Sequence, residues 1–101
     1  MYNIEINQSV MAQLPKKDEK IFSQKIIEKL NTNLQNDFYR IKPIRKISDQ
    51  SAYEMRIHLG KKNFRFAFTI KQKNVNIFYL STTLEKKEFD KEALKNETNP
   101  T

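Results

Sequence analysis

The chain contains no cysteine, a single histidine (His58) and a single glycine (Gly60) among its 101 residues. Without cysteine, disulfide bonds, thiolate metal sites and thiol nucleophiles are all excluded. One histidine is too few for a zinc site built from several imidazoles. One glycine is too few for the glycine-rich loops that cradle nucleotide phosphates. We therefore expect no metal site and no small-molecule cofactor.

Long apolar runs are also missing from the chain. No segment is long and apolar enough to span a bilayer, and the first residues do not form the apolar stretch of a signal peptide. We therefore expect no membrane partner and a cytoplasmic location. A chain of this length is expected to fold as one domain over residues 1–101, with residues 97–101 as a frayed tail.

Positive charge is concentrated in the middle of the chain. Residues 40–73 hold ten Lys or Arg but only two acids, Asp49 and Glu54, whereas the remainder holds nine basic and ten acidic residues. The net charge of +7 therefore comes from this one segment. A basic surface on a small chain favours an anionic partner, above all nucleic acid.

The same segment carries two runs in which apolar and polar residues alternate. In residues 53–59 the apolar side chains are odd-numbered, and in residues 63–71 the large apolar side chains are even-numbered. Alternation of this kind predicts two half-buried antiparallel strands. The even-numbered phenylalanines form the one good apolar face of their strand, so we assign them to the core rather than to base stacking. The opposite face would be exposed, and its basic side chains are Arg56, His58, Arg65 and Lys71.

The turn between these strands predicts their register. If Gly60 and Lys61 form a two-residue loop, glycine occupies the first central position, as a type II′ turn requires. Arg56 then lies directly opposite Arg65. Like charges at opposite positions are destabilising by themselves. Two guanidinium groups in this position could instead hold one phosphate between them.

The remaining segments complete an α+β pattern. Alternation predicts a first strand at 2–6, and apolar runs predict an edge strand within 40–47 and a central strand at 75–80. Helical spacing and start signals predict helices at 10–14, from Asp18 to Leu34, and at 84–96 after a capping box at Thr82 and Glu85. The predicted fold is a twisted, mainly antiparallel sheet of four to five strands, with N-terminal helices on one face and a C-terminal helix.

Several short motifs between Ala52 and Ala93 follow one another in a familiar order. They are Tyr53-Glu54-Met55-Arg56-Ile57, a short basic turn, Phe64-Arg65-Phe66-Ala67-Phe68, an apolar strand and then Lys86-Lys87. This order resembles the RelE/ParE superfamily of bacterial type II toxins, and most of all its HigB-like, phage-derived branch. The resemblance implies a small RelE-like domain.

The resemblance also implies an activity and a set of site residues. RelE-type members cleave messenger RNA on the ribosome without a metal, and Arg56 and Arg65 would hold the scissile phosphate. Glu54 is the candidate base and Lys87 a further catalytic candidate, while the candidate RNA contacts are Lys61, Lys62, Lys71 and Lys86. The family's usual His or Tyr near the last helix is absent, because Ser81-Thr82-Thr83 and Phe89-Asp90 occupy that stretch. The general base and acid therefore stay unassigned.

Three functions remain open from the sequence. The first is a toxin endoribonuclease whose partners are mRNA, the ribosome and a cognate antitoxin that docks as a helix in a groove or as an added strand. The second is a ParE-like inhibitor of DNA gyrase, which needs no acid–base pair. The third is a basic nucleic-acid-binding module without catalysis. For any single basic residue, plain solvation is the commoner explanation.

Overall fold

The structure is a computed structural model that describes residues 2–44 and 51–97. In chain order the elements are β1 (Asn3–Ile6), α1 (Gln8–Met11), α2 (Glu19–Gln35), β2 (Lys42–Pro43), β3 (Ser51–Leu59), β4 (Lys62–Lys71), β5 (Asn74–Ser81) and α3 (Lys86–Glu97), with 3₁₀ turns at Lys16–Asp18 and Phe38–Arg40. The sheet has the strand order β1-β5-β4-β3-β2, in which β1 and β5 are parallel and all other neighbours antiparallel. The predicted α+β class is confirmed.

Some predicted boundaries need correction. The first helix spans Gln8–Met11 rather than residues 10–14. The edge strand is confirmed only as Lys42–Pro43, and residues 45–47 of the prediction lie outside the described residues. The predicted frayed tail also lies outside them, apart from Glu97 at the end of α3. None of the helices within the described ranges is long and apolar enough to cross a bilayer.

The register predicted for the hairpin of β3 and β4 is confirmed. Leu59 pairs with Lys62 across a two-residue turn, and Arg56 lies directly opposite Arg65. Gly60 has a φ of 62°, a backbone conformation that glycine adopts without steric cost. A Cβ atom at this position would also meet the Phe22 ring at 3.3 Å. The glycine is therefore needed both for the turn and for the approach of α2.

The main core lies between the N-terminal helices and one face of the sheet. Helix α2 buries one stripe of side chains, as its apolar spacing predicts. This stripe packs on the odd-numbered face of β3 and the even-numbered face of β4, where Phe66 and Phe68 have no exposed surface. The apolar members of the stripe with the least exposure are Ile26, Leu30 and Leu34. The assignment of the phenylalanines to the core is confirmed.

Helix α3 partly covers the opposite face of the sheet. This position of the helix was not predicted from the sequence. Phe89 and Ala93 of α3 are fully buried in a second apolar cluster with Ala67 of β4 and Phe78 of β5. The prediction that this face is open to solvent is therefore wrong over β4. The predicted capping box is wrong too, because α3 begins at Lys86 and Thr82 is exposed.

A carboxylate on α3 holds this helix to the end of β5. Glu92 accepts hydrogen bonds from the hydroxyls of Tyr79 at 2.7 Å, Ser81 at 2.9 Å and Thr83 at 2.6 Å. The bond from Thr83, supported by those from Tyr79 and Ser81, lowers the pKa of Glu92 below its ordinary value. Burial and the neighbouring Glu92 raise the pKa of Tyr79 to about 12. The charged carboxylate and the neutral phenol are therefore the forms that stabilise the docked helix.

The lowered pKa of Glu92 predicts an acid-sensitive docking of α3. Near the ordinary pKa of a glutamate the unfolded chain binds more protons than the folded one, so stability rises with pH there. The stabilisation is complete above that pKa and is lost as the pH falls through the lower folded value. Urea unfolding of the wild type between about pH 6 and pH 3 should show this loss, and Glu92→Gln should remove part of it.

The control for this experiment is Glu88→Gln on the same helix. Glu88 is exposed and its ion pair with Lys91, at 4.0 Å, is long. This variant should keep the pH dependence of the wild type. If Glu88→Gln and Glu92→Gln change the acid profile equally, the hydroxyl contacts of Glu92 do not hold α3.

Candidate functional site

The candidate site lies at the edge of the sheet formed by β3. The short β2 pairs with β3 only at Tyr53 and Glu54, so the outer edge of β3 from Met55 to Leu59 has no strand partner in the described part of the chain. Beside this edge lies a cleft of about 500 Å³, which we term the main cleft. It is lined by Lys29 and Asn33 of α2, Tyr39 and Arg40 of the second 3₁₀ turn, Lys42 of β2, Glu54, Met55 and Arg56 of β3, Arg65 of β4 and Lys86 of α3.

Four charged groups of the site pair with one another. Arg65 Nη1 donates to Glu54 Oε1 at 2.6 Å, and its Nη2 donates to the carbonyl of Leu84. Lys86 Nζ lies 3.2 Å from Glu54 Oε2 and 2.8 Å from Asp90 Oδ2. It also donates to the carbonyl of Pro43 at 2.8 Å. We term these four residues, Glu54, Arg65, Lys86 and Asp90, the ion-pair cluster, and their formal charges cancel.

The burial of Arg65 overturns one expectation from the sequence. Arg65 is only 5% exposed and Glu54 is 0% exposed, so neither lies on an open surface. Glu54 of β3 is opposite Ala67 of β4, and Arg65 lies two residues before Ala67 on β4. The Glu54–Arg65 pair is therefore a diagonal contact between the two strands. The small Ala67 leaves room for the carboxylate. The Phe89 ring of α3 lies 5.9 Å from the Arg65 guanidinium and completes the cover.

The other cations of the main cleft are not neutralised. Among residues 2–44 and 51–97, no carboxylate forms an ion pair with the side chains of Lys29, Arg40, Lys42 or Arg56. Arg56 is exposed although it lies opposite the buried Arg65 in the sheet. The reason is that Arg56 belongs to β3, which lies one strand further from α3 than β4 does. These four side chains give the cleft an excess of positive charge, which attracts anions.

Two exposed aromatic side chains lie in the second 3₁₀ turn, and one of them, Tyr39, lines the main cleft. Tyr39 is 68% exposed and Phe38 is 47% exposed, although rings of this size are usually at least partly covered. The Arg40 guanidinium lies 5.4 Å from the centroid of the Tyr39 ring, which is within the range of a cation–π contact. Phe38 contacts Tyr53 edge-on, with 6.1 Å between the ring centroids. Exposed aromatic faces beside free cations are the surface on which unpaired bases stack.

A second cleft of about 550 Å³ adjoins the main cleft along α2. It contains His58, whose Nδ1 lies 2.8 Å from Asn63 Oδ1. Because an amide oxygen only accepts, Nδ1 donates, and the Nε2 atom of a neutral imidazole keeps its lone pair. Three residues, Lys29, Asn33 and Arg40, line both clefts. The complete lining of the second cleft is Lys25, Glu28, Lys29, Thr32, Asn33, Asp37, Arg40, Ile57 and His58.

The structure brings only some of the predicted site residues together. Glu54, Arg56, Arg65 and Lys86 all line the main cleft. Lys71 is exposed but lies six residues beyond Arg65 on β4, a distance of roughly 20 Å along the strand. The other predicted residues that are exposed but line neither cleft are Lys61 and Lys62 at the hairpin turn and Lys87 on α3. Their predicted roles stay predictions.

Several lining residues were missed from the sequence. These residues lie outside the motifs between Ala52 and Ala93 and are Lys29, Tyr39, Arg40 and Lys42. The one local indication is Asn33, a polar residue on the apolar stripe of α2. Asn33 is 3% exposed and its amide donates to Met55 Sδ at 3.5 Å, which ties α2 to the free edge of β3. A buried polar side chain on an apolar stripe could have indicated a site.

The chain matches no family model, and no curated protein and no solved structure is significantly similar to it. Within the described residues, no group of three or more His, Cys, Asp or Glu side chains is placed to hold a metal ion.

The buried pair predicts a large loss of stability when Arg65 is removed. Arg65→Ala leaves Glu54 without its nearest counter-charge in a site with no access to water, which costs roughly 3–5 kcal/mol of unfolding free energy. Arg56→Ala, at the opposite and exposed position, should change stability by about 0.5 kcal/mol or less. Urea unfolding monitored by circular dichroism measures both values.

A double variant separates lost charge pairing from lost packing. Glu54→Gln combined with Arg65→Met keeps the volume and removes both charges, so it should recover most of the stability lost in Arg65→Ala. Equal stabilities for Arg65→Ala and Arg56→Ala would contradict the burial of the pair.

Proposed function

We propose that the protein is the toxin of a type II toxin–antitoxin system, which binds single-stranded mRNA in the main cleft and cleaves it on the ribosome. The observation that carries this proposal is the set of four unneutralised cations around one cleft, Lys29, Arg40, Lys42 and Arg56. The motif resemblance between Ala52 and Ala93 supports the particular family. In this proposal the protein acts in the cytoplasm, where its substrate is found.

The cations suit the binding of RNA phosphates. The planar fork of Arg56 matches two oxygens of one phosphate, and it is exposed and unpaired within the described residues. Lys29 and Lys42 line the same cleft and add positive charge to it. The exposed ring of Tyr39, which lies beside the Arg40 guanidinium, offers a platform for an unpaired base. Cations and stacking together favour a single strand over a duplex, because the bases of a duplex are already stacked and paired.

RNA cleavage without a metal requires three contributions. A base takes the proton of the 2′-OH, whose oxygen forms a bond to phosphorus, and the bond from phosphorus to the 5′ oxygen breaks as an acid protonates that oxygen. Cations stabilise the crowded phosphate between these steps. We assign the last role to Arg56. We reassign Arg65 from phosphate contact to positioning, because its guanidinium is occupied by Glu54 and the Leu84 carbonyl.

Glu54 and His58 are the two candidate proton acceptors. Glu54 is 0% exposed and its carboxylate is already paired with Arg65 and Lys86. His58 is exposed and its Nε2 is not engaged by Asn63, but His58 lines the second cleft rather than the main cleft. The burial of Glu54 favours a second candidate function, a protein without nuclease activity. That protein would be a ParE-like inhibitor of DNA gyrase or a basic nucleic-acid-binding module.

The partner in this proposal is a cognate antitoxin with an acidic segment. The outer edge of β3 from Met55 to Leu59 offers backbone groups to an added strand, and the cations beside it favour acidic side chains on that strand. Such a segment would cover the main cleft and exclude RNA from it. Co-expression with the product of the adjacent reading frame tests this partner, and a failure to copurify would argue against a toxin–antitoxin pair.

The nuclease function is tested by inducing the protein in bacterial cells and mapping mRNA ends by primer extension. New 5′ ends that appear within minutes of induction are the expected result. Growth arrest without new ends, accompanied by a loss of DNA supercoiling activity in a gyrase assay, would identify the gyrase inhibitor instead.

The role of Arg56 predicts a separation of activity from stability. Arg56→Ala should lower the rate of mRNA cleavage on the order of 100-fold, because a donor to the developing charge is lost. Its urea midpoint should stay at the wild-type value. Quantitative primer extension on purified ribosome complexes measures the rate.

Lys71→Ala is the matched control for Arg56→Ala. Lys71 is an exposed basic residue on the same sheet, but it lies far from the main cleft. Full activity of this variant is expected if the cleft binds the RNA. Loss of cleavage in Lys71→Ala with full activity in Arg56→Ala would move the substrate to the other end of the sheet.

A further inference from the structure

Among the described residues, the main cleft is lined by few groups that can donate a proton to a substrate. The guanidinium groups of its arginines hold their protons too tightly, and its amide and thioether side chains do not ionise. Glu54 and Lys86 are engaged with one another in the ion-pair cluster. The lining groups that remain are the hydroxyl of Tyr39 and the ammonium groups of Lys29 and Lys42.

Of these three groups, the hydroxyl of Tyr39 has the best-defined position. Lys29 and Lys42 are exposed, and an exposed ammonium group is a strongly hydrated charge at the end of a flexible stem. Tyr39 carries its hydroxyl on a rigid ring with few rotatable bonds, and the guanidinium of Arg40 lies 5.4 Å from the centroid of that ring. A proton donor must be held within hydrogen-bond reach of its acceptor, so a rigid ring suits this role better than a flexible stem.

The register of β2 and β3 places this tyrosine near Arg56. Lys42 of β2 is opposite Glu54 of β3, and the two strands are antiparallel. Arg40 lies two residues before Lys42 and Arg56 lies two residues after Glu54, so both are displaced from the pair in the same direction along β3. Tyr39 precedes Arg40 and lines the same cleft as Arg56. The phenol therefore lies at the cleft in which Arg56 would hold the scissile phosphate.

From this arrangement we infer that Tyr39 is the general acid of the cleavage reaction. In the cleavage step the 2′ oxygen forms a bond to phosphorus, and the bond from phosphorus to the 5′ oxygen breaks. The hydroxyl of Tyr39 gives its proton to the 5′ oxygen, while the proton of the 2′-OH passes to one of the two candidate acceptors, Glu54 or His58. This inference rests on the proposed function and assigns the proton donor that the sequence left open.

The same step accounts for the position of Arg40. The products are a 2′,3′-cyclic phosphate, a free 5′-OH and a phenolate at Tyr39. The guanidinium of Arg40 lies beside the ring and stabilises this negative charge. The phenolate and the proton acceptor then return to their starting forms by exchanging protons with water.

Base stacking without proton transfer is the alternative role for Tyr39. Stacking requires the exposed ring but not its hydroxyl. Tyr39→Phe separates the two roles, because it keeps the ring and removes only the hydroxyl. The leaving group separates them as well. A sulfur atom in place of the 5′ oxygen leaves as a thiolate, which needs little help from an acid because a thiol is far more acidic than an alcohol.

Cleavage rates on purified ribosome complexes test the assignment with two mRNAs, one natural and one with sulfur in place of the 5′ oxygen at the mapped cleavage site. Tyr39→Phe should cleave the natural mRNA on the order of 100-fold more slowly than the wild type, with KM unchanged. Its rate on the sulfur-containing mRNA should equal that of the wild type. A wild-type rate of Tyr39→Phe on the natural mRNA would overturn the assignment, and so would an equal loss on both mRNAs.

The matched control is Tyr2→Phe, which removes a hydroxyl from another tyrosine beside a cation. Lys73 Nζ lies 5.3 Å from the centroid of the Tyr2 ring, but Tyr2 lines neither cleft. This variant should cleave both mRNAs at the wild-type rate, and a loss equal to that of Tyr39→Phe would also overturn the assignment. If the wild type itself cleaves neither mRNA, the nuclease function is wrong and the assignment falls with it.

Discussion

The buried ion pair between Glu54 and Arg65 is the interaction on which the site depends. It joins β3 to β4, and through Lys86 and the carbonyl of Leu84 it joins both strands to the start of α3. A buried charge without a partner is strongly destabilising, so each member of the pair requires the other. The pair therefore favours the docked position of α3, and this position defines one wall of the main cleft.

Charge neutralisation divides the basic residues into two groups with different uses. Arg65 and Lys86 form ion pairs with Glu54 and Asp90, so their positive charges are neutralised within the fold. Arg56, Lys29, Arg40 and Lys42 have no such counter-charge in the described part of the chain and face the cleft. A cleft with walls of low dielectric focuses the field of these free cations, so they attract an anionic chain more strongly than scattered surface lysines would.

Features that depend on local sequence could be predicted. The register of the hairpin followed from Gly60 and the alternation of its strands, and the buried stripe of α2 followed from its spacing. The exposure of Arg65 and Glu54 was predicted wrongly. Alternation tells which side chains share a face of a sheet, but it does not tell what covers that face. Helix α3 covers it through Phe89 and Ala93, whose spacing places them on one face of the helix but does not tell which face of the sheet that helix packs on.

The sequence by itself determined the excess of positive charge, the α+β order of elements and the absence of cysteine chemistry, because composition and short-range periodicity depend only on neighbours in the chain. Only the tertiary structure decided which cations are free. Lys29 and Arg40 line the same cleft as Arg56 although they are far from it in the sequence, and Lys86 reaches Glu54 from a distant helix. Whether a charge is neutralised depends on distances of a few ångströms between residues far apart in sequence, and packing alone sets those distances.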